Sequence, residues 1–347
     1  MVKACVAHGA HDLRIDEREP AALGPGMVRV RLGAGGICGS DLHYYHEGGI
    51  AGLPIREPLI LGHEMAGTIV ETAADVSGFA PGMRVVVNPH RPCLKCADCG
   101  RGTLHLCADN FFAGSVARMP HMQGFFSEVS TVAARQCRSI PENLDFGLAA
   151  LTEPLAVCMH GVSRAGPLLG KRVLITGSGP IGCLLLVAAR AAGAAEMLIT
   201  DLHDEPLAVA RKMGADEVIN IAKNPERLEQ LQVGRGTMDV VLEASGNVRA
   251  LEDAVKACRA GGTLVVVGML PGDTIFKLAN RIVFKELDVR GSFRFDKEFD
   301  WALRAIIDRR VDLEPVLTEQ FPLSRAVEAF DFASDRKKGM KSQLVLG

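Results

Sequence analysis

The 347-residue chain has almost no net charge: 39 Lys and Arg against 41 Asp and Glu leave a formal charge of -2. It also has no long Lys/Arg run, so nothing in it attracts nucleic acid or an anionic membrane surface, and neither is expected as a partner. Nor is there an apolar run of about 18 residues, the length that reads as a bilayer-spanning helix. The opening Met1-Val2-Lys3-Ala4-Cys5 lacks the basic-then-apolar profile of a secretory signal, which makes the cytoplasm the expected location. No internal repeat and no low-complexity tract appear, which argues against solenoid and disordered classes.

What is present is an ordinary globular composition, 48% hydrophobic and 23% charged with 37 glycines. A chain of 347 residues exceeds the roughly 250 to 300 at which a single core stops growing, so two domains are expected. Up to residue 153, short apolar runs such as Met27–Leu32 and Arg84–Val87, broken by Gly and Pro, read as β-strands joined by turns. From residue 154 to 294, strand candidates at Arg172–Thr176, Met197–Thr200, Asp239–Glu243, Leu264–Gly268 and Leu287–Arg290 alternate with helical stretches. That rhythm predicts an α/β, doubly wound parallel sheet. Residues 295–347 read as one helix, Asp300–Arg309, then a short polar tail and an apolar end strand, Gln343–Leu346, that returns to the first domain.

Strand Arg172–Thr176 runs into Gly177-Ser178-Gly179-Pro180-Ile181-Gly182 and a helix over Cys183–Ala192, the context a dinucleotide fingerprint requires. Gly177 permits the turn, Gly179 lets the backbone approach a pyrophosphate, and Gly182 lets helix and strand pack closely, with the helix N-terminus facing the phosphates and Pro180 and Ile181 of the same turn as further cofactor-binding candidates. Asp201 stands 19 residues after Gly182, at the end of the next strand, where a carboxylate binds a ribose 2′-hydroxyl and repels a 2′-phosphate. Leu202-His203-Asp204-Glu205 supplies no cation, so NAD is expected over NADP. Val267 and Gly268, at the end of one strand candidate, and Ser292 and Phe293, just after the last, complete the candidate cofactor surface.

Of ten cysteines, Cys93, Cys96, Cys99 and Cys107 crowd one loop, the donor set of a closed, structural tetrahedral zinc site. A second cluster, Cys38 in Gly36-Ile37-Cys38-Gly39-Ser40-Asp41-Leu42-His43 with Gly62-His63-Glu64, offers a thiolate, an imidazole and a carboxylate. Glu153 precedes Pro154, where an acid also favours a helix dipole. Cys158, five residues on, is a rival ligand whose apolar helix face favours packing instead.

Taken together, Cys38, Gly62-His63-Glu64, the Cys93–Cys107 lobe and the Gly177 fingerprint resemble the zinc-containing medium-chain dehydrogenase family over the whole chain. The resemblance implies a GroES-like β-barrel catalytic domain interrupted by a Rossmann domain, with the catalytic zinc in the cleft between them. It further implies Cys38, His63, Glu64 and Glu153 around that zinc, Glu153 often through a water, and Ser40 and His43 as a proton relay. Within the family, Gly36–Tyr45 and Glu153–Val157 resemble the polyol dehydrogenases, which implies Arg294 and Tyr44 as substrate contacts and a dimer or tetramer. Phe295 stands where those enzymes commonly have Tyr. The long Phe111–His121 loop, with Arg118 and His121, together with Arg290–Phe295, resembles more closely the branch that oxidises L-idonate to 5-keto-D-gluconate. A sugar acid needs a cation for its carboxylate, and a guanidinium suits it. Neutral polyols such as sorbitol or xylitol, and non-catalytic nucleotide binding, stay open as alternatives.

Overall fold

Along Met27–Gly36, Val28, Val30 and Leu32 face the interior while Arg29 and Arg31 face outward, the period-two burial of a strand with one face on a core. The computed structural model describes residues 1–272 and 274–346 and divides into two units. The first comprises Met1–Glu153, Leu303–Asp308 and the chain from Leu317 onward; the second comprises Pro154–Ala302 and Arg309–Val316. The second unit thus runs eight residues beyond the expected end at 294, to 302.

In the first unit the main sheet runs Cys137–Ser139, Arg84–Val87, Glu64–Thr72, Met27–Gly36, Lys341–Val345, Leu317–Pro322, with Val129–Ala133 also paired to Met27–Gly36. A three-stranded sheet places Val2–Gly9 between Asp12–Arg18 and Leu59–Ile60. One core gathers Leu59, Leu61, Phe126, Phe330 and Leu344; another gathers Val28, Val30, Met65, Ile69, Val85 and Val87. The C-terminal strand Lys341–Val345 pairs antiparallel with Ala34–Gly36, the return expected of the chain's end.

The second unit holds a parallel sheet in the order Glu217–Asn220, Glu196–Asp201, Arg172–Thr176, Met238–Glu243, Cys258–Val266, Asp288–Gly291. Its strands are buried on both faces, so Val173, Leu174 and Ile175 form a continuous apolar run, all fully buried. The order reverses between Arg172–Thr176 and Met238–Glu243, and such a switch point is where open α/β sheets bind ligands.

Three expectations need correction. Glu217–Asn220 is a sixth parallel strand that the alternation left out. The supposed polar tail contains the strand Leu317–Pro322, the helical turn Leu323–Arg325 and the helix Ala326–Ser334, whose Phe321, Leu323, Ala326, Ala329 and Phe330 join the first core. The successive helices Phe146–Ala150 and Thr152–Ala165 make a 20-residue stretch with mean hydropathy 1.2, long and apolar enough to cross a membrane, but 72% of its most apolar window is buried in the protein, as in a core helix.

Candidate metal and dinucleotide sites

Cys38 caps the helix Gly39–Glu47 with extended backbone, and His63 and Glu64 open the strand Glu64–Thr72. Asp41 ties the two segments together: its carboxylate, fully buried, accepts the Cys38 N–H at 2.9 Å and the Gly62 N–H at 3.1 Å. The thiolate of Cys38, a ring nitrogen of His63 and a Glu64 oxygen consequently lie within 4.8 Å of one another. Glu64 Oε1 accepts from the Lys341 ammonium at 2.7 Å, while Oε2 is buried and has no partner. A Cβ on Gly36 would stand 1.9 Å from that oxygen, so only glycine leaves the carboxylate its place. Burial alone would lower the His63 pKa, yet Asp41, then Cys38 and Glu153, drive it well above the usual imidazole range. These surroundings call for positive charge. A soft thiolate, an imidazole and an orphaned carboxylate oxygen suit a catalytic zinc with a position left open.

Glu153 lies outside that 4.8 Å set, buried in the first turn of the helix Thr152–Ala165. Burial pushes its carboxyl up to about 7, with His63 and Lys341 pulling down and Glu64 and Asp41 pushing further up. Cys158 points away to the Ile181 carbonyl at 3.4 Å and is buried. Asp41 and Lys341 are the residues that reading the sequence missed. Asp41 stood inside the Cys38 segment, but nothing along the chain marks Lys341, 277 residues from Glu64.

The four lobe cysteines also converge within 4.8 Å, with Cys93 and Cys99 sulfurs 4.0 Å apart and Cys96 and Cys107 sulfurs 3.8 Å apart. The Cys99 and Ala108 N–H groups hold Cys96 down at about 6, whereas burial, with the neighbouring thiols, pushes Cys99 up to about 12. Four sulfurs at this spacing match a closed structural zinc site. The remaining buried cysteines behave as small apolar residues, with Cys137 and Cys183 pushed up to about 12 by burial.

At the switch point of the second unit, Gly177 adopts φ +92 and passes so close to Ser245 that a Cβ would lie 2.9 Å from its Cα. Gly182 packs against the Gly177 carbonyl, where a Cβ would be 1.9 Å away, while a Cβ on Gly179 would meet nothing within 4 Å. Open space at Gly179, at the N-terminus of the helix Pro180–Ala191, is what a pyrophosphate requires. Asp201 closes this loop by accepting from Ser178 N at 2.8 Å, Leu202 N at 2.7 Å and His203 N at 3.1 Å. A further buried acid, Glu243, was not anticipated. Its side chain accepts from Ser245 and Gly246 and holds their turn against Gly177, while its carbonyl accepts from Val267 N at 2.8 Å and Gly268 N at 2.9 Å. Ser292 lies just past the last strand with its hydroxyl buried, and Phe293 is exposed.

The substrate candidates divide. Tyr44 is buried and its hydroxyl accepts the Val116 N–H at 3.4 Å. Ser40 is half-buried on the same helix; His43 is exposed and bonded to Glu47 at 2.7 Å. Arg118 pairs with Asp109 at 2.9 Å on the surface. His121 is buried, with Nε2 accepting the Arg56 N–H at 2.9 Å and Nδ1 2.9 Å from the Arg118 carbonyl, so both ring nitrogens are engaged within the loop. Arg294 is half-buried, at φ +58, with its guanidinium 4.6 Å from the centre of the Phe293 ring. Phe295 is fully buried and stacks on Phe299.

Residues 24–142 match the family model described as alcohol dehydrogenase GroES-like domain, and residues 180–308 that of zinc-binding dehydrogenase. The chain is 35% identical to L-idonate 5-dehydrogenase (NAD(P)(+)) of Escherichia coli over 343 residues, 99% of this chain and 98% of that protein. It is also 35% identical to sorbitol dehydrogenase of Gallus gallus over 344 residues, 98% of this chain and 95% of the other. The crystal structure of the Escherichia coli L-idonate 5-dehydrogenase superposes with a TM-score of 0.94 over 99% of this chain and 98% of that one. A zinc-binding dehydrogenase from Sinorhizobium meliloti bound to NADP, 28% identical, superposes with a TM-score of 0.90 over 99% of both chains.

Proposed function

Because the chain belongs to the zinc-binding dehydrogenase family of NAD(P)-linked polyol and sugar-acid oxidoreductases, we propose that it oxidises the 5-hydroxyl of L-idonate to 5-keto-D-gluconate with NAD. The observation that carries the reading is the buried Cys38, His63, Glu64 set with its orphaned oxygen, in a chain that runs the length of an L-idonate dehydrogenase. When bound, zinc supplies the acidity that makes a substrate hydroxyl give up its proton near neutral pH, and the nicotinamide supplies the hydride acceptor.

The chain's own residues do the rest. Cys38, His63 and Glu64 would hold the ion, with Glu153 as the further carboxylate beside them, and the Cys93, Cys96, Cys99, Cys107 lobe would take a second, structural zinc. Ser40 and His43 carry the hydroxyl proton outward to solvent, His43 being already exposed. Asp201 receives the adenosine ribose, and the absence of a cation in Leu202–Glu205 favours NAD over NADP. Arg294 binds the substrate carboxylate and Tyr44 a hydroxyl; of the two other loop candidates, Arg118 remains a weaker partner, and His121 serves to shape the loop. The protein works in the cytoplasm as a homo-oligomer.

Sorbitol or xylitol is the second reading, favoured by the equal identity to a sorbitol dehydrogenase. Zinc-loaded protein offered NAD or NADP with L-idonate, D-gluconate, sorbitol and xylitol separates the two by nicotinamide absorbance. Turnover of L-idonate is expected, and Arg294→Ala should raise its KM roughly 10- to 100-fold, the worth of a charge-assisted hydrogen bond. Turnover of neutral polyols alone would sink the sugar-acid reading. Bound NAD without turnover of any substrate would leave nucleotide binding alone.

A further inference from the structure

Arg294 holds φ +58, in the left-handed region that a side chain with a Cβ enters at a cost, so something nearby must hold it there. On one side, Ser292 N donates to the Val266 carbonyl at 3.0 Å and fixes the end of the strand. On the other, Phe295 is fully buried and stacked on Phe299, with ring centres 5.6 Å apart. Two residues past Arg294, the Asp296 N–H donates to Glu298 Oε2 at 3.0 Å. The other oxygen of that carboxylate, Oε1, lies 3.1 Å from His160 Nδ1 on the helix Thr152–Ala165. Both side chains are buried, His160 at 8% exposure and Glu298 at 4%, so the contact is made away from water. An acid in the first turn of a helix ordinarily serves that helix. Here, in addition, one oxygen takes an amide outside the helix and the other a ring 138 residues away.

We propose that Glu298, locked by His160, is a positioning residue that clamps the left-handed turn and so fixes where the Arg294 guanidinium presents itself to a substrate carboxylate. The carboxylate part of this inference rests on the sugar-acid reading above; the clamp itself does not. A buried carboxylate–imidazole contact that spans two helices and ends on a backbone amide resists the turn's relaxation better than solvent-exposed contacts would.

The test is a double-mutant cycle in the zinc-loaded enzyme, made of Glu298→Ala, Arg294→Ala and the pair, with Glu298→Gln as the conservative variant. Glu298→Ala should raise the KM for L-idonate about tenfold, a modest share of the roughly hundredfold that an ångström of misplacement costs, and leave the KM for NAD unchanged. Added to Arg294→Ala it should change KM less than about twofold, because residues that act through one another are not additive. Glu298→Gln can still accept the Asp296 N–H, and its amide can donate to a neutral His160 nitrogen, so it should restore KM to near the native value. Additive effects, or a KM for NAD that rises in parallel, would overturn the positioning role in favour of a general structural one. Amide hydrogen exchange reads the clamp directly: exchange at Arg294–Asp296 should quicken in Glu298→Ala, and unchanged exchange there would overturn the clamp whatever the kinetics show. If instead Arg294→Ala leaves the KM for L-idonate unchanged while the exchange quickens, the carboxylate reading fails and the clamp stands.

Discussion

Lys341 donates to Glu64 Oε1 at 2.7 Å and to the Ile37 carbonyl at 3.1 Å, with 3% of the lysine side chain exposed and none of the glutamate's. Two charges out of water stabilise one another only as a pair, and removing one costs about 3 to 5 kcal/mol because the other is left buried alone. A metal ion held by Cys38, His63 and Glu64 would be a second source of positive charge for the same carboxylate. Lys341→Met should therefore destabilise metal-free protein by about 3 kcal/mol and zinc-loaded protein by clearly less. Urea unfolding with and without chelator measures the difference, and equal losses in both forms would show that Glu64 does not share its charge between lysine and metal. None of this was legible along the chain. Motif spacing names residues that act from one segment, such as Cys38 or His63, whereas Lys341 reaches Glu64 only because a C-terminal strand pairs with Ala34–Gly36. Asp41 was likewise unread, since an acid in a helix's first turn has a sufficient local explanation until its bonds to Cys38 and Gly62 are seen.

Among the elements, legibility followed apolar continuity. The central strands of the parallel sheet, with runs such as Val173-Leu174-Ile175, announce themselves, but Glu217–Asn220 has only Ile219 fully inside and lies at the sheet's edge, so its four residues carry no run to read. The helix Ala326–Ser334 was hidden the opposite way, its buried Ala326, Ala329 and Phe330 scattered among charges in a stretch with no motif. The helix Glu298–Ile307 was expected near its true place, yet the function of its first residue was not. Burial alone would raise the Glu298 carboxyl, but bonds from His160, Asp296 N and its own N–H outweigh it and hold it at about 2, against an ordinary 4.5. A carboxyl depressed in the folded state contributes stability that is complete above its unfolded value and disappears as pH falls through the folded one. For this shift the contribution is about 3 kcal/mol, lost between pH 4.5 and about 2. Glu298→Gln should be less stable than the native protein at neutral pH, and the gap should close over that acid window. Urea midpoints followed down to about pH 2 test this, and a gap that stays constant with pH would show that the charge of Glu298 contributes nothing.

At the scale of the molecule, the family and the fold class could be read because they rest on three local signatures: a glycine-rich turn after a strand, four cysteines in one loop, a Gly-His-Glu after a Gly-Ile-Cys. The contacts that join distant segments around those signatures could not, and they decide how ligand binding is felt elsewhere. A ligand that binds only the folded state stabilises whatever its contacts hold together, by an amount set by its concentration relative to Kd. Zinc at Cys38, His63 and Glu64 would draw on three chain segments at once: the helix start at Gly39, the strand Glu64–Thr72 and, through Lys341, the strand Lys341–Val345. NAD at the Gly177 turn would draw on Gly177–Ile181, on Leu202 and His203 through Asp201, and on Ser245 and Gly246 through Glu243. Amide exchange should therefore show two separate footprints. Adding zinc to metal-free protein is expected to slow exchange in Ala34–Gly36, Met65–Gly67 and Ser342–Val345, and adding NAD should slow it at Ser178, Leu202, His203 and Gly246. If zinc protects the Cys38 and His63 segments but leaves Ser342–Val345 unchanged, the C-terminal strand is a passive sheet edge and Lys341 does not link it to the metal.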